Sequence, residues 1–294
     1  MSFPPPVLIP LGSALVYTLA AIYLKSASDR GAGPWRACFI TNVVQAVCFG
    51  FWWLQGGTEP GWALLWEAGL AGTLFFVGQV LTFAALGRGD VSVVTPALGS
   101  KVLFVALFGA AFGAESLTSA IWVAVMLTLI AVTLLGGGRR RAAASTMLPC
   151  MSMAVGSAPC YAVHDVLWQM WAPAWGFGRF APTTFAVVAL LSLTLIPKFS
   201  APLSQLPKQA WIALIPGSIL LSIQASGIAY AIITYQQITV TNIAYNSRGI
   251  WSVVLVWVFG HWLGNNEPSA GKAIMLRRLT GAVLLLAAIF LIVR

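Results

Sequence analysis

Apolar runs of 18 to 25 residues follow one another along this chain with hardly a charge inside them. A helix rises about 1.5 Å per residue, so each run is long enough to cross a bilayer core of about 30 Å. Charged residues make up 8% of the 294 positions and hydrophobic ones 59%, where a soluble domain carries about 25% charge. Too little polar surface remains to coat a globule of this size in water. The expected fold class is therefore an all-α integral membrane protein.

Ten spans are expected, at about 7–27, 35–54, 62–87, 91–113, 117–135, 147–171, 178–197, 208–235, 239–262 and 274–293. Helix breakers separate them: Gly31, Gly33 and Pro34, then Gly56, Gly57 and Pro60, then the GGGRRR stretch, then Asn265, Asn266, Glu267 and Pro268. The longest linker, 139–146, divides the chain into 1–138 and 147–294. The first run begins at Val7 behind three prolines with no basic residue before it, and is expected to be a retained helix rather than a signal peptide.

The net charge of +9 does not point to nucleic acid, because the basic residues sit singly or in short clusters between the runs. Odd-numbered connections hold Lys25, Arg30 and Arg36, then Arg88, then Arg139 to Arg141, then Lys198 and Lys208, then Lys272, Arg277 and Arg278. Even-numbered ones offer only Arg179, beside Glu59 and Glu115. Positive charge stays on the cytoplasmic side, so both termini are expected outside. Tryptophans near span ends (Trp35, Trp52, Trp53, Trp62, Trp66, Trp211, Trp262) fit interfacial belts. The four cysteines, Cys38, Cys48, Cys150 and Cys160, lie in apolar segments without metal-type spacing and read as buried thiols.

The chain also echoes itself. GSALVY at 12–17 returns as GSAPCY at 156–161. Ser100-Lys101 and Phe112-Gly113 return 147 positions later as Ser247-Arg248 and Phe259-Gly260, and Phe83-Ala84 returns at the same offset as Tyr230-Ala231. Each half holds five expected spans, an odd number, so the second half must enter the bilayer in the opposite sense. Two inverted five-helix repeats around a central cavity are the architecture of many secondary transporters, which expose one site to each side in turn. The small residues of the echo are expected to let helices pack closely, with its tyrosines pointing inward.

Ionisable side chains at membrane depth cost about 3 kcal/mol or more unless they face a cavity or a partner. Lys101 lies ten residues into its span and Arg248 about nine into its own. They read either as cations facing a central cavity and attracting a carboxylate, or as structural groups paired with an acid or with broken-helix carbonyls. Tyr245, Asn246 and Ser247 make a polar run beside Arg248. Tyr161, His164, Asp165 and Trp168 share one helical face, suited to an aromatic wall of a substrate path or to an interhelical hydrogen-bond cluster. His164 and Asp165 are also candidates for a proton relay. Gln79 is kept as a site residue, while Asn42 and Gln45 read as interhelical glue.

No phosphate-cradling Gly-rich loop and no hydrolase motif appears. No cofactor or metal is expected, and the chain is not expected to be an enzyme. His164 and Asp165 would be the only catalytic pair, without a nucleophile or metal partner.

The span pattern, with TPALGSK running to FGAE and its counterpart YNSRG running to GNNE, resembles the EamA-type members of the drug/metabolite transporter superfamily. GSALVY, YAVHDVLW and IAYNSRGIW are most similar to the bacterial YddG-type amino acid exporters. The resemblance implies ten helices around a central cavity and export of aromatic and other neutral amino acids across the bacterial inner membrane, by a chain functional as a monomer. It places the cavity among Gln79, Lys101, Tyr161, His164, Trp168, Tyr245, Asn246, Ser247 and Arg248. Ile243 stands where a second copy of Pro96 would, and Ala20 and Ala21 stand where the first half would repeat His164 and Asp165. Export or exchange of another metabolite, anionic or nucleotide-sugar-like, is the alternative.

Overall fold

The computed structural model describes residues 5–58, 61–86, 98–136, 144–259 and 272–293. Every regular element among them is helical: α1 (Pro5–Asp29), α2 (Pro34–Gly50), α3 (Leu65–Leu86), α4 (Lys101–Ala111), α5 (Ser119–Gly136), α6 (Ala144–Trp175), α7 (Phe177–Ser192), α8 (Lys208–Tyr235), α9 (Ile238–Tyr245), α10 (Arg248–Phe259) and α11 (Lys272–Val293). Short 3₁₀ turns extend α2 and α7 and lead into α3. Six stretches, Pro5–Asp29, Pro34–Gln55, Trp62–Ala85, Phe177–Lys198, Lys208–Tyr235 and Leu276–Val293, are long and apolar enough to cross a membrane. The chain is a multi-pass membrane protein, and large apolar side chains such as Leu190, Leu276 and Val283 lie exposed on its outside, where lipid would cover them. Glu59, Arg88, Pro96, Arg139 to Arg141 with most of the linker 139–146, Gly260, Trp262 and the Asn265 to Pro268 turn lie outside the described residues.

The sequence predicts 208–235 as a single span, and α8 occupies those residues. The span expected at 239–262 is not one helix. It divides into α9 and α10 at Asn246 and Ser247. The cause is local: the Asn246 side-chain amide donates to the Asn242 carbonyl at 3.0 Å and competes with the backbone for it. The next amide, of Ser247, turns back to Ala244, and Ile250 donates to Ser247 at 2.8 Å, so the chain tightens into 3₁₀ geometry. Leu103 donates to Ser100 in the same way, at 3.0 Å, where α4 begins.

The principal packing pairs are α1 with α8, α3 with α6 and α5 with α11, followed by α2 with α7 and α8, α3 with α7, α4 with α6, and α1 with α9 and α10. Close approach depends on missing side chains. A Cβ on Gly72 of α3 would lie 2.7 Å from the Thr184 carbonyl of α7. In the echoed segments, the buried contacts are made by Ser13 and Ala14 and by Ser157 and Ala158. Gly12 has no atom within 4 Å of where its Cβ would stand, so the expectation of close packing there applies to its neighbours rather than to the glycine.

The connections gather at two ends. At one, Arg30 donates to the Gln209 carbonyl and the Lys198 ammonium stands 5.1 Å from the Trp35 ring. At the other, Thr58 donates to the Trp175 carbonyl, the Trp175 indole donates to Glu67 at 2.8 Å, and the Arg179 guanidinium stacks 4.3 Å from the Trp53 ring. Between them lies an aromatic core of Phe49, Trp168, Phe180 and Phe185.

Candidate functional site

Lys101 is the first residue of α4 and Arg248 the first of α10. Helix N-termini carry about half a positive charge, so each cation adds to a positive pole instead of relieving it. Both side chains are only partly buried. Each cation faces a tyrosine of the echoed motif. The Lys101 ammonium is 5.9 Å from the Tyr161 ring, and the Arg248 guanidinium is 5.0 Å from Tyr17 and 4.8 Å from Tyr245. Tyr17 and Tyr245 meet edge to face at 5.9 Å, which fixes the planes between which the guanidinium sits. Such contacts contribute about 0.5–2 kcal/mol each.

The two readings of these cations separate. Lys101 forms an ion pair with Asp165 at 2.6 Å. Among the described residues Arg248 has no carboxylate partner. Asp165 also accepts from Asn242 at 2.9 Å, while the same amide reaches the Ile238 carbonyl at 2.9 Å. Thus α4, α6 and α9 meet at one carboxylate. Asn242 was not singled out in the sequence; the available signal is its i, i+4 spacing to Asn246, which places two amides on one face.

The expected face of α6 points in two directions. Tyr161 rests on α3: its hydroxyl lies 3.3 Å from Thr82, and a Cβ on Gly78 would stand 3.0 Å from its ring. His164 Nδ1 lies 2.9 Å from the Ala71 carbonyl, and the imidazole is 5.0 Å from Phe75. Trp168 is 1% exposed and packs on His164, Phe180 and Phe185, so it backs the site from the core and does not line an open wall. Gln79, expected at the site, donates to Gln45, expected as interhelical glue, at 3.0 Å, and the pair ties α3 to α2. Ser247 is 3% exposed, and its hydroxyl has no hydrogen-bond partner among the described residues.

A second cluster closes the end where Thr58 and Trp175 meet. The Gln169 side chain donates to the Ala114 carbonyl at 2.7 Å and accepts from the Ile238 amide at 3.0 Å. Glu115 accepts from the Thr239 hydroxyl at 2.6 Å and from its amide, capping the short helix α9. Burial pushes the Glu115 carboxyl above its ordinary range, and the Thr239 bonds oppose that shift. A cleft lined by Glu115, Ser116, Gln236 and Gln237 opens beside it. Gln169 is not among the residues the sequence singles out; its i+4 spacing to Asp165 is the available signal.

A solved crystal structure superposes on 99% of this chain and 97% of its own, with a TM-score of 0.72 at 18% identity. That likeness shows a shared fold. No curated protein matches the sequence. Over residues 5–137, the sequence matches the model of the EamA-like transporter family.

Proposed function

We propose that the chain is a secondary transporter of the drug/metabolite type that exports aromatic and other neutral amino acids from the cytoplasm by alternating access. The observation that carries this reading is the crossed pairing of its two cations: Lys101 faces Tyr161, and Arg248 faces Tyr17. Under the repeat, Lys101 corresponds to Arg248 and Tyr161 to Tyr17, so each half supplies a cation to the other half's tyrosine. The helix packing supports the same exchange. Mapping α1 onto α6 and α3 onto α8 turns the α1 with α8 contact into α6 with α3, and both are principal contacts. The 3₁₀ steps at Ser100 and Ser247 correspond as well. The match to the EamA-like transporter family over 5–137 supports the function class.

On this reading the chain has ten spans in two inverted repeats, 1–138 and 147–294, with both termini outside the bacterial inner membrane. The contacts between 25–36 and 198–209 support a common basic end. The substrate class follows from the charges. With Lys101 engaged by Asp165, one cation remains for the ligand, which suits a single carboxylate better than a multiply charged phosphate. Tyr17, Tyr161 and Tyr245 supply faces for an apolar or aromatic side chain. Proteoliposomes holding the pure protein should move labelled phenylalanine or leucine; flux no greater than in protein-free liposomes overturns the proposal.

A further inference from the structure

We propose that Lys101 is a tethered stand-in for the substrate's own ammonium group, holding Asp165 in the empty carrier and yielding it when an amino acid binds. The inference rests on the amino acid reading above and assigns the poles of the zwitterion: its ammonium to Asp165, its carboxylate to Arg248.

Three observations converge. First, the only ion pair among the described residues joins a primary ammonium to Asp165, with the lysine side chain 17% exposed and the aspartate 7%. A lysine ammonium and an α-ammonium offer the same three donors, so they compete for one carboxylate on equal chemical terms. Second, Asn242 donates at 2.9 Å to Oδ2 of Asp165, the same oxygen that Lys101 engages, so the carboxylate has one bond that does not depend on its cation. Third, Arg248 has ring faces and no carboxylate among the described residues. A planar guanidinium matches a carboxylate with its two acceptor oxygens.

The exchange moves the one unmatched positive charge from Arg248 to Lys101. The zwitterion brings equal and opposite charges to Asp165 and Arg248, and the released Lys101 ammonium remains beside the Tyr161 ring, 5.9 Å away in the empty state. A ligand without the ammonium can engage Arg248 but has nothing with which to displace Lys101. A ligand without the carboxylate faces two cations and one acid.

The test measures inhibition of labelled phenylalanine uptake into proteoliposomes by phenylalanine, N-acetylphenylalanine and phenethylamine, in wild type and in Lys101→Met. Removing the internal competitor should lower the inhibition constant for phenylalanine about ten-fold, while that for N-acetylphenylalanine stays the same or rises. Lys101→Gln, which can still bond Asp165 without a charge, should move the phenylalanine constant in the same direction and serves if the methionine variant does not fold. If either variant weakens phenylalanine and N-acetylphenylalanine alike, Lys101 is a carboxylate ligand and the inference is overturned while amino acid transport stands. If the wild type moves no amino acid, both readings fall together.

Discussion

The ammonium of Lys101 stands 2.6 Å from the carboxylate of Asp165, joining the first turn of α4 to the middle of α6. Two charges this buried lose much of their hydration, and their attraction offsets that loss only when the geometry is close and the remaining lone pairs are satisfied. Here the separation is short, and Asn242 adds a second bond to the same oxygen, Oδ2. The pair thereby fixes how α4, α6 and α9 meet around the broken helix.

Breaking this pair from one side should cost far more than removing it. Asp165→Asn leaves the Lys101 ammonium without its counter-charge and should destabilise the protein by about 3–5 kcal/mol. Adding Lys101→Met to that change should recover most of the loss. Thermal unfolding in one detergent across the two single variants and the double gives the coupling directly. Additive losses would show that the two groups do not act as a pair.

The α3 with α7 contact makes an independent prediction. At Gly72 an added methyl would meet backbone, the Thr184 carbonyl at 2.7 Å, and backbone cannot rotate away. Gly72→Ala should lower stability by about 1–3 kcal/mol. Gly12→Ala, in open space on α1, should leave stability unchanged or raise it by up to about 1 kcal/mol through helix propensity. Equal melting shifts for the two variants would contradict the packing.

Much of this was legible in the sequence because membrane helices announce themselves by length. Counting residues sets Lys101 and Arg248 well inside their apolar runs, and the GSALVY echo aligns Tyr17 with Tyr161. What counting cannot supply is the partner. Asp165 and Asn242 are 77 residues apart, and their bond depends on how α6 packs against α9. Trp168 shares a helical face with Tyr161, yet the packing of α7 buries it, since an aromatic face reads the same in sequence whether it meets ligand or core. The break at Asn246 was hidden for a different reason: an amide competing for a carbonyl one turn back is a local event inside an otherwise apolar run.

The end closed by Glu115 should respond to pH with a defined sign. Burial raises the Glu115 carboxyl above its ordinary range, so the folded state holds that proton more tightly than the unfolded chain does. Its contribution to stability is therefore full at low pH and declines as pH rises through the range above the ordinary carboxylate value. Glu115→Gln keeps an acceptor for Thr239 and cannot titrate. Melting temperatures taken from pH 4 upward should show wild type losing ground to Glu115→Gln as pH increases. The opposite slope, or parallel curves, would mean that the Thr239 bonds outweigh burial.

Arg248 offers the sharpest separation of charge from shape. Its guanidinium lies between two ring faces, 5.0 Å from Tyr17 and 4.8 Å from Tyr245. Those faces favour a flat, weakly hydrated cation, whereas a lysine ammonium is compact, strongly hydrated and lacks the two-pronged grip on a carboxylate. Arg248→Met should reduce amino acid transport at least ten-fold, equivalent to about 1.4 kcal/mol or more of lost interaction. Arg248→Lys should fall between the two, because it keeps the charge and loses the fork. Tyr17→Phe retains the ring and should transport nearly as wild type, while Tyr17→Ala removes one face and should follow Arg248→Lys. Uptake per mole of folded protein, with folding checked by elution profile and melting temperature, orders the four variants. If Arg248→Met transports as well as wild type, the carboxylate is bound elsewhere, and the tyrosine pair around Arg248 serves only to hold α1 against α9 and α10.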